Sequence, residues 1–359
     1  MNKCLVTKLN GSSSNSELLR LGEMRIKIFK VQNPTDHTQG FSVGVGSPVT
    51  LEIINDGYFT DKTLTENKGK SITLTTGIYS IWVNGTHDVE IAVLSKYNLT
   101  RLFYYYQGES IDPSSYNIKI NISVLKYSNV LSGLDLSNTK ASGSIDDLKS
   151  LTNLIQLQLN NTQVSGNISS LKSLTNLIQL QLNKTKVSGS IDNLESLTAL
   201  SGIYLDNTQV SGNISSLKSL TALKEIYLSN TQTPIIGDIG ELSTLSKCTH
   251  ISLRYSKLTG DLATVPALCR FVSFLNDKGS VFTWSTRPST AKILAIEGSA
   301  RLSDIDKMLQ DQAQCQVGFS PSDPVWFKTI SVVGNRTSAS DAAVAALQQK
   351  GYTIKITNV

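Results

Sequence analysis

Residues 154–174 read LIQLQLNNTQVSGNISSLKSL, and residues 177–197 repeat them 23 positions later as LIQLQLNKTKVSGSIDNLESL. A third copy begins LSGIYLDNT at residues 200–208, and a looser sixth copy surrounds residues 251–253. The same 23-residue interval separates Leu136, Leu159, Leu182, Leu205 and Leu228. A fixed period of this length predicts a solenoid, in which each copy forms one coil of a stack.

The L-x-L core of each copy predicts a short β-strand, because alternate side chains of a strand point to the same face. A glycine follows each strand, at positions 143, 166, 189 and 212, where it allows the chain to turn sharply. The later leucine pair then lies on the returning segment and closes the coil. One coil cannot bury its own leucines, so neighbouring strands are expected to pair as a parallel sheet.

Over residues 129–260 this pattern resembles the leucine-rich repeat family, and the S-G-x-I after each strand is similar to that family's plant-type spacing. The family's usual ladder asparagine is replaced here by Thr139, Thr162, Thr185, Thr208 and Thr231. A threonine hydroxyl can donate to a backbone carbonyl of the adjacent coil, so we expect the ladder to persist. The resemblance implies a solenoid that serves in interaction or structure.

Residues 1–128 lack the 23-residue period. They contain β-type runs separated by Asn, Asp and Gly, at residues 24–31, 49–54, 71–75, 78–83, 89–94 and 116–125. These runs predict an antiparallel β-sandwich as a first domain. The tyrosines at 104–106 would either pack in its core or dock a partner.

The repeat degenerates towards the end of the chain. We expect the solenoid proper to cover residues 129–275, and strand–helix repeats that close it to cover residues 276–359. Further strands are predicted at residues 272–274, 294–296, 330–332 and 354–356. Two helices are predicted between them, with Ser303 and Ser340 as N-caps and Gly351 after the second. The fold class is therefore mixed: a β-sandwich, then a repeat solenoid with a helical C-terminal end.

Composition excludes several function classes. Charged residues make up 17% of the 359 residues, and the net charge of +5 is dispersed, so no nucleic-acid partner is expected. No stretch approaches the ~20 apolar residues of a membrane span, so membrane insertion is not expected. The opening residues also lack the apolar run of a signal peptide, which argues against export by that route.

Chemistry-bearing residues are sparse and scattered. The four cysteines and three histidines occur at none of the spacings typical of metal sites, and we expect reduced thiols and no cofactor. No nucleotide-binding loop or nucleophile motif is complete. The sequence therefore predicts a protein that is not an enzyme.

The side chains that point outward from the strands form columns across the predicted sheet. The candidate binding residues in these columns are Gln158, Gln181, Tyr204, Tyr227, Arg254 and Tyr255. Tyr and Arg are enriched at interface hot spots, because they combine a large rigid surface with a polar tip. Two interpretations remain open: the patch binds a partner, or stacked amides and tyrosines stabilise the sheet.

The whole chain, including residues 1–11, MNKCLVTKLNG, and residues 19–28, LRLGEMRIKI, is similar to proteins encoded by gut Bacteroidetes and their crAss-like tailed phages. This resemblance implies a virion-associated protein that is assembled in the bacterial cytoplasm. Its β domain would attach to a capsid or tail component, and its solenoid would project as a decoration or host-adhesion module. The alternative is a bacterial surface adhesin that binds a host protein or glycan.

We expect Leu159→Asp or Leu182→Asp to abolish folding of the solenoid, because either change places an unpaired charge among buried apolar side chains. Thermal unfolding followed by circular dichroism measures the effect. Cooperative melting that is unchanged in either variant would contradict the coil assignment.

Overall fold

The computed structural model describes the backbone of the strands between residues 24 and 119, and residues 119–274, 281–298 and 301–358 with their side chains. The strands before the repeats are β1 (Met24–Ile28), β2 (Gln39–Val45), β3 (Val49–Ile53), β4 (Tyr58–Thr60), β5 (Ser71–Leu74), β6 (Gly77–Asn84), β7 (Val89–Leu94), β8 (Leu99–Tyr106) and β9 (Ile118–Lys119). They pair antiparallel in two groups, in the orders β5-β3-β7-β1-β9 and β4-β6-β2-β8.

All six β-type runs in this part of the chain contain a strand, and in five of them the strand covers most of the run. The run at 116–125 was mostly wrong, because after β9 the chain forms a 3₁₀ turn at Ile122–Leu125. The side chains before residue 119 lie outside the described residues. The sandwich packing of the two groups, the role of residues 104–106, the thiol of Cys4 and the domain boundaries therefore stay predictions.

The repeats build one parallel sheet, here called the main sheet. Its strands are β10 (Gly133–Asp135), β11 (Gln156–Gln158), β13 (Gln179–Gln181), β15 (Gly202–Tyr204), β17 (Glu225–Tyr227), β19 (His250–Ser252), β21 (Phe271–Phe274), β23 (Ala295–Gly298), β25 (Thr329–Val333) and β26 (Thr353–Thr357). Neighbours pair in parallel register, so equivalent residues of successive coils lie side by side. β8 also pairs in parallel with β10, and the N-terminal strands therefore continue into the main sheet.

A second set of short parallel strands lies between the main sheet and the outer side of the coils, and it contains or borders the glycines of the repeat. It comprises β12 (Ser165–Asn167), β14 (Lys186–Ser190) and β16 (Gln209–Ser211), and then β18 (Ile236–Asp238), β20 (Lys257–Asp261), β22 (Val281–Thr283) and β24 (Arg301–Leu302). The glycines at 143, 166, 189 and 212 all have positive φ, between +100° and +127°, as the turn prediction requires. The outer side of each coil is a short 3₁₀ turn.

The N-caps of the first five 3₁₀ turns alternate between two kinds of coil, and the next two turns are capped by Asp238 and Asp261. Asn121, Asn167 and Asn213 cap every second turn, and Ser144 and Ser190 cap the turns between them. Each serine-capped turn also carries an aspartate that reaches the next coil. Asp146 accepts the backbone N–H of Asn167 at 2.9 Å, and Asp192 accepts that of Asn213 at 3.0 Å. The structural unit on this side is therefore a pair of coils.

The core is a continuous column of inward leucines, isoleucines and valines running through all the coils. Leu159, Leu182 and Leu205 are fully buried, as the L-x-L pattern predicts. The thiols of Cys248, Cys269 and Cys315 are free and buried in the same column.

The threonine column behaves differently from the expected ladder between coils. The hydroxyls of Thr139, Thr162, Thr185 and Thr208 donate to the carbonyl three residues earlier in their own coil, at 2.6–2.7 Å. The prediction that they reach the adjacent coil is therefore wrong. Each threonine instead secures the turn that ends its own strand.

A column of left-handed residues precedes these threonines. Its members have φ between 55° and 62°: Asn138, Asn161, Lys184, Asn207, Asn230 and Tyr255. Asparagine tolerates this conformation better than other non-glycine residues, which explains its recurrence here. Tyr255, a candidate of the outward face in the sequence, belongs to this column, whose conformational role the 23-residue period does not reveal.

The helices lie where the sequence predicts them, with one correction. α1 covers Ile305–Gln314, and its N-cap is Asp304 rather than Ser303, because the Asp304 carboxylate accepts the Lys307 N–H at 3.0 Å. α2 covers Asp341–Gln349, follows Ser340 and ends before Gly351, whose φ is +89°. In the described part of the chain, no helix is long and apolar enough to cross a membrane.

Arg287 holds the start of the C-terminal coils together. Its side chain is 3% exposed, and it donates to the backbone carbonyls of Ala263, Val265, Pro266, Cys269 and Lys292 at 3.1–3.4 Å. Burial lowers its pKa from the ordinary value for arginine. Carbonyl oxygens thus take the place of a carboxylate partner around this charge.

We expect Arg287→Met to destabilise the protein by about 2 to 4 kcal/mol, because the buried carbonyls lose their donors. Chemical denaturation of the full chain measures the change in the free energy of unfolding. Arg301→Met is the matched control, since Arg301 is exposed and should tolerate the change. Equal stability of the two variants would contradict the role of Arg287 in holding the backbone carbonyls of these coils together.

Candidate functional site

The register of the main sheet places four of the six candidate residues in one row. Gln158, Gln181, Tyr204 and Tyr227 are consecutive partners on β11, β13, β15 and β17. They point away from the leucine core, on the side of the sheet called here the open face. The column read from the sequence is therefore confirmed as geometry, while its role in binding stays a prediction.

Tyr204 and Tyr227 form the centre of the open face. Their rings stack at 5.1 Å between centroids with an interplanar angle of 11°. The Tyr204 hydroxyl donates to the carboxylate of Glu225 on the neighbouring strand. Gly202 makes this possible, since a Cβ there would approach the Tyr204 ring to 2.8 Å. Gly202 and Glu225 are partners in the neighbouring outward column of the main sheet. Their support of the Tyr204 ring could not be predicted from the sequence.

Burial and the Glu225 carboxylate together keep both phenols protonated. They raise the pKa of Tyr227 to about 12, and they raise the pKa of Tyr204 as well. The stacked tyrosines, the tyrosine pair hereafter, therefore present neutral rings at neutral pH, and Glu225 holds the hydroxyl of Tyr204 in place.

The amide side chains make weaker contacts than the tyrosines. Gln156 Nε2 lies 3.4 Å from Gln179 Oε1 in the column beside the candidate glutamines. Gln158 and Gln181 are half-buried on the open face. Four amides on two adjacent coils thus offer donors and acceptors next to the tyrosine pair.

The other two candidates have different surroundings. Arg254 pairs with Glu297 at 2.6 Å, and its Nε donates to the Ser273 hydroxyl at 2.9 Å, which ties three coils together. Tyr255 occupies the left-handed position after the strand, and its side chain is 46% exposed beside Pro234 and Lys257. Tyr255 therefore lies on the flank of the coil, and it does not share a surface with the tyrosine pair.

Residues 318–328, the strap, fold across the open face of the later coils. The Phe327 ring contacts His250 at 5.1 Å and Phe271 at 5.0 Å between centroids, both outward residues of the main sheet. Arg270 binds the strap from below: it lies 5.3 Å from the Phe327 ring centroid and pairs with Asp323 at 3.2 Å. The strap therefore forms a wall at the C-terminal end of the open face.

Two apolar side chains of the strap remain in solvent. Val325 is 73% exposed and Trp326 is 50% exposed, although Phe327 beside them is largely covered. The strap was not among the candidate binding residues predicted from the sequence, because it lies outside the 23-residue repeat. The signal was the aromatic sequence VWFK after two prolines, in a stretch with neither helix nor strand periodicity.

The open face thus offers recognition chemistry: rigid aromatic rings, amides, a carboxylate and an apolar wall. No group of three or more His, Cys, Asp or Glu side chains among the described residues is arranged to hold a metal ion.

Comparison with solved structures supports the fold. The PEPR1–AtPEP1 crystal structure matches with a TM-score of 0.50 and 18% identity, over 72% of this chain and 35% of that one. The fold is a leucine-rich repeat solenoid. The leucine-rich repeat ectodomain of the receptor kinase HAESA from Arabidopsis, in complex with a peptide hormone, matches with a TM-score of 0.49 and 21% identity, over 70% of this chain and 42% of that one.

An internalin from Listeria monocytogenes matches with a TM-score of 0.43 and 17% identity, over 74% of this chain and 83% of that one. The leucine-rich repeat solenoid described here spans about two fifths or less of the PEPR1 and HAESA chains. No protein-family model matches the chain, and no curated protein matches it. The similarity to proteins of gut Bacteroidetes and their phages therefore stays a prediction.

We expect Arg270→Ala to loosen the strap, because it removes both the pair with Asp323 and the contact with the Phe327 ring. Hydrogen–deuterium exchange should rise at least fivefold in residues 318–328 and stay unchanged in the repeats. Lys224→Ala is the matched control, because Lys224 is an exposed cation in the same column two coils earlier. Equal exchange of the strap in both variants would contradict the role of Arg270.

Proposed function

We propose that this chain is a non-enzymatic interaction protein that binds a protein partner through the open face of its solenoid. The carrying observation is the tyrosine pair, two stacked and half-buried rings at the centre of the open face. Tyrosine contributes much to interfaces at a low entropic cost, since few bonds must be fixed and its hydroxyl still forms hydrogen bonds.

Stabilisation of the sheet alone is the weaker explanation of this patch. The amide contact between Gln156 and Gln179 is 3.4 Å long, so the expected glutamine ladder contributes little hydrogen bonding. Val325 is 73% exposed, and Trp326 is 50% exposed although its ring lies 6.5 Å from that of Phe327. A surface that meets a partner accounts for both observations.

The place of action that we propose is the virion. The N-terminal β-sandwich would attach to a capsid or tail component, and the solenoid would carry the open face outward as a decoration or host-adhesion module. The continuous hydrogen bonding from β8 into β10 supports this arrangement, because it joins the attachment unit and the display unit through one sheet. The alternative is a bacterial surface adhesin for a host protein or glycan.

Mass spectrometry of purified particles separates the two locations. We expect the chain to be present in virions, and its number of copies per particle to stay constant through salt washing and density-gradient purification. Its absence from particles, together with its presence on the surface of bacterial cells, would replace the virion proposal by the adhesin.

We expect Tyr204→Ala and Tyr227→Ala each to weaken partner binding by about 1 to 2 kcal/mol while attachment to the particle is unchanged. Titration of the partner found by chemical cross-linking measures the affinity, and co-sedimentation with particles measures attachment. Tyr127→Ala is the matched control, because Tyr127 is 61% exposed and lies beside a 3₁₀ turn. Affinity that falls equally in the Tyr127 variant, or in none, would contradict the proposal.

A further inference from the structure

Glu225 is a carboxylate of the open face without a cationic partner. Its Oε2 accepts the Tyr204 hydroxyl, and its Oε1 lies 3.9 Å from Nδ1 of His250. Within the part of the chain that the structure describes, no lysine or arginine pairs with it. Its side chain is 36% exposed, so this charge is accessible to a second molecule.

His250 does not neutralise that charge. The ring is 7% exposed beneath the strap, and its Nδ1 lies 2.7 Å from the Thr249 hydroxyl. Burial, with the nearby Arg270, lowers the pKa of His250 below its ordinary value, so the ring is neutral at pH 7. Thr249 and neutral His250 are therefore polar neighbours of Glu225 that do not compensate its negative charge.

The other carboxylates of this face differ from Glu225 in having an arginine or a backbone N–H as partner. Glu297 pairs with Arg254 at 2.6 Å, and Asp323 pairs with Arg270 at 3.2 Å. Asp135 and Asp206 accept backbone N–H groups from Ser137 and Ser229. Glu297 and Asp323 thereby neutralise Arg254 and Arg270, the arginines of the following coils, and an incoming cation would therefore meet little repulsion from them.

Aromatic and apolar surfaces flank Glu225 on two sides. The tyrosine pair lies on its own strand and the one before, and the strap lies beyond, on His250 of the next strand. We call this space, bounded by the tyrosine pair, Glu225 and the strap, the notch. A carboxylate between aromatic rings recognises a guanidinium or ammonium group, by ion pairing and by cation–π contact.

We propose that the notch binds an arginine or lysine side chain of an extended partner segment, with Glu225 as counter-ion and with Val325 and Trp326 against a neighbouring apolar residue. This inference rests on the proposed function and specifies the chemistry of the partner. A glycan would need several convergent donors and acceptors, and the amides that could supply them lie on β11 and β13, away from the strap.

The test is selection from a displayed library of random nonapeptides on the immobilised full chain. We expect the enriched peptides to share an arginine or lysine next to an apolar residue. A synthetic peptide of the enriched sequence should then bind Glu225→Gln at least tenfold more weakly, because glutamine keeps the contact with Tyr204 and loses the charge. Replacing the peptide's cation by glutamine should cost the same factor, and the two changes together should cost little more than one.

Matched controls separate the notch from the rest of the surface. Glu241→Gln, on the outer side of a coil where Glu241 pairs with Lys218, should leave peptide affinity unchanged. Trp326→Ala should weaken the peptide about fivefold. Thermal unfolding of each variant within error of the parent chain excludes loss of fold as the cause.

Four outcomes would overturn the inference. Enriched peptides without a cation would overturn it, and so would peptides that bind Glu225→Gln as tightly as the parent chain. If the binding of such peptides still depended on Tyr204 and Tyr227, the proposed function would stand. A Trp326-dependent dimer of the chain in sedimentation would show a second copy in the notch. If no peptide is enriched over the Tyr204→Ala, Tyr227→Ala double variant, the proposed function falls with the inference.

Discussion

The fold depends on one constraint: an isolated coil of this chain cannot bury its own leucines. Each inward side chain, such as Leu182, is covered by the equivalent residues of the coils before and after it. The free energy of unfolding is then nearly the sum of the contributions of the single coils and of the contacts between neighbouring coils. The first and last coils each lack one neighbour, so other parts of the chain must cover them. At the N-terminal end the solution is β8, which extends the sheet with strands that are not repeats.

Most of the solenoid could be predicted from the sequence, because its signals are local and repeated. The L-x-L alternation gave the strands and their buried faces, and the glycines after each strand gave turns that require positive φ. The threonine hydrogen bonds could not be read correctly, because spacing alone does not distinguish a carbonyl three residues back from one in the next coil. Asp304 rather than Ser303 as helix cap is a similar case, since both residues cap well and the choice depends on tertiary packing.

The candidate site was predictable only in part, for a related reason. The register places Tyr204 beside Tyr227, as the 23-residue period requires, but the period says nothing about Arg254 once Glu297 arrives from a later coil. The strap is the clearest failure. Its contacts join Phe327 to His250, which lies 77 positions earlier in the sequence, and no local pattern encodes such a pairing. These long-range contacts close the open face at one end, so that this end differs from the rest of the repetitive surface.

The alternation of asparagine-capped and serine-capped turns has a consequence for how this protein can change in length. Repeated coding sequence gains and loses units by recombination, and a single 23-residue unit would place two turns of the same kind side by side. Where two asparagine-capped turns met, the Asp146-type bond across that junction would be absent, because its aspartate belongs to the serine-capped turn. Gain or loss of a two-coil unit preserves every junction. It would also move the strap away from the N-terminal strands in steps of about 10 Å, twice the ~4.8 Å strand spacing, so the distance between the two ends of the molecule is adjustable without altering either end.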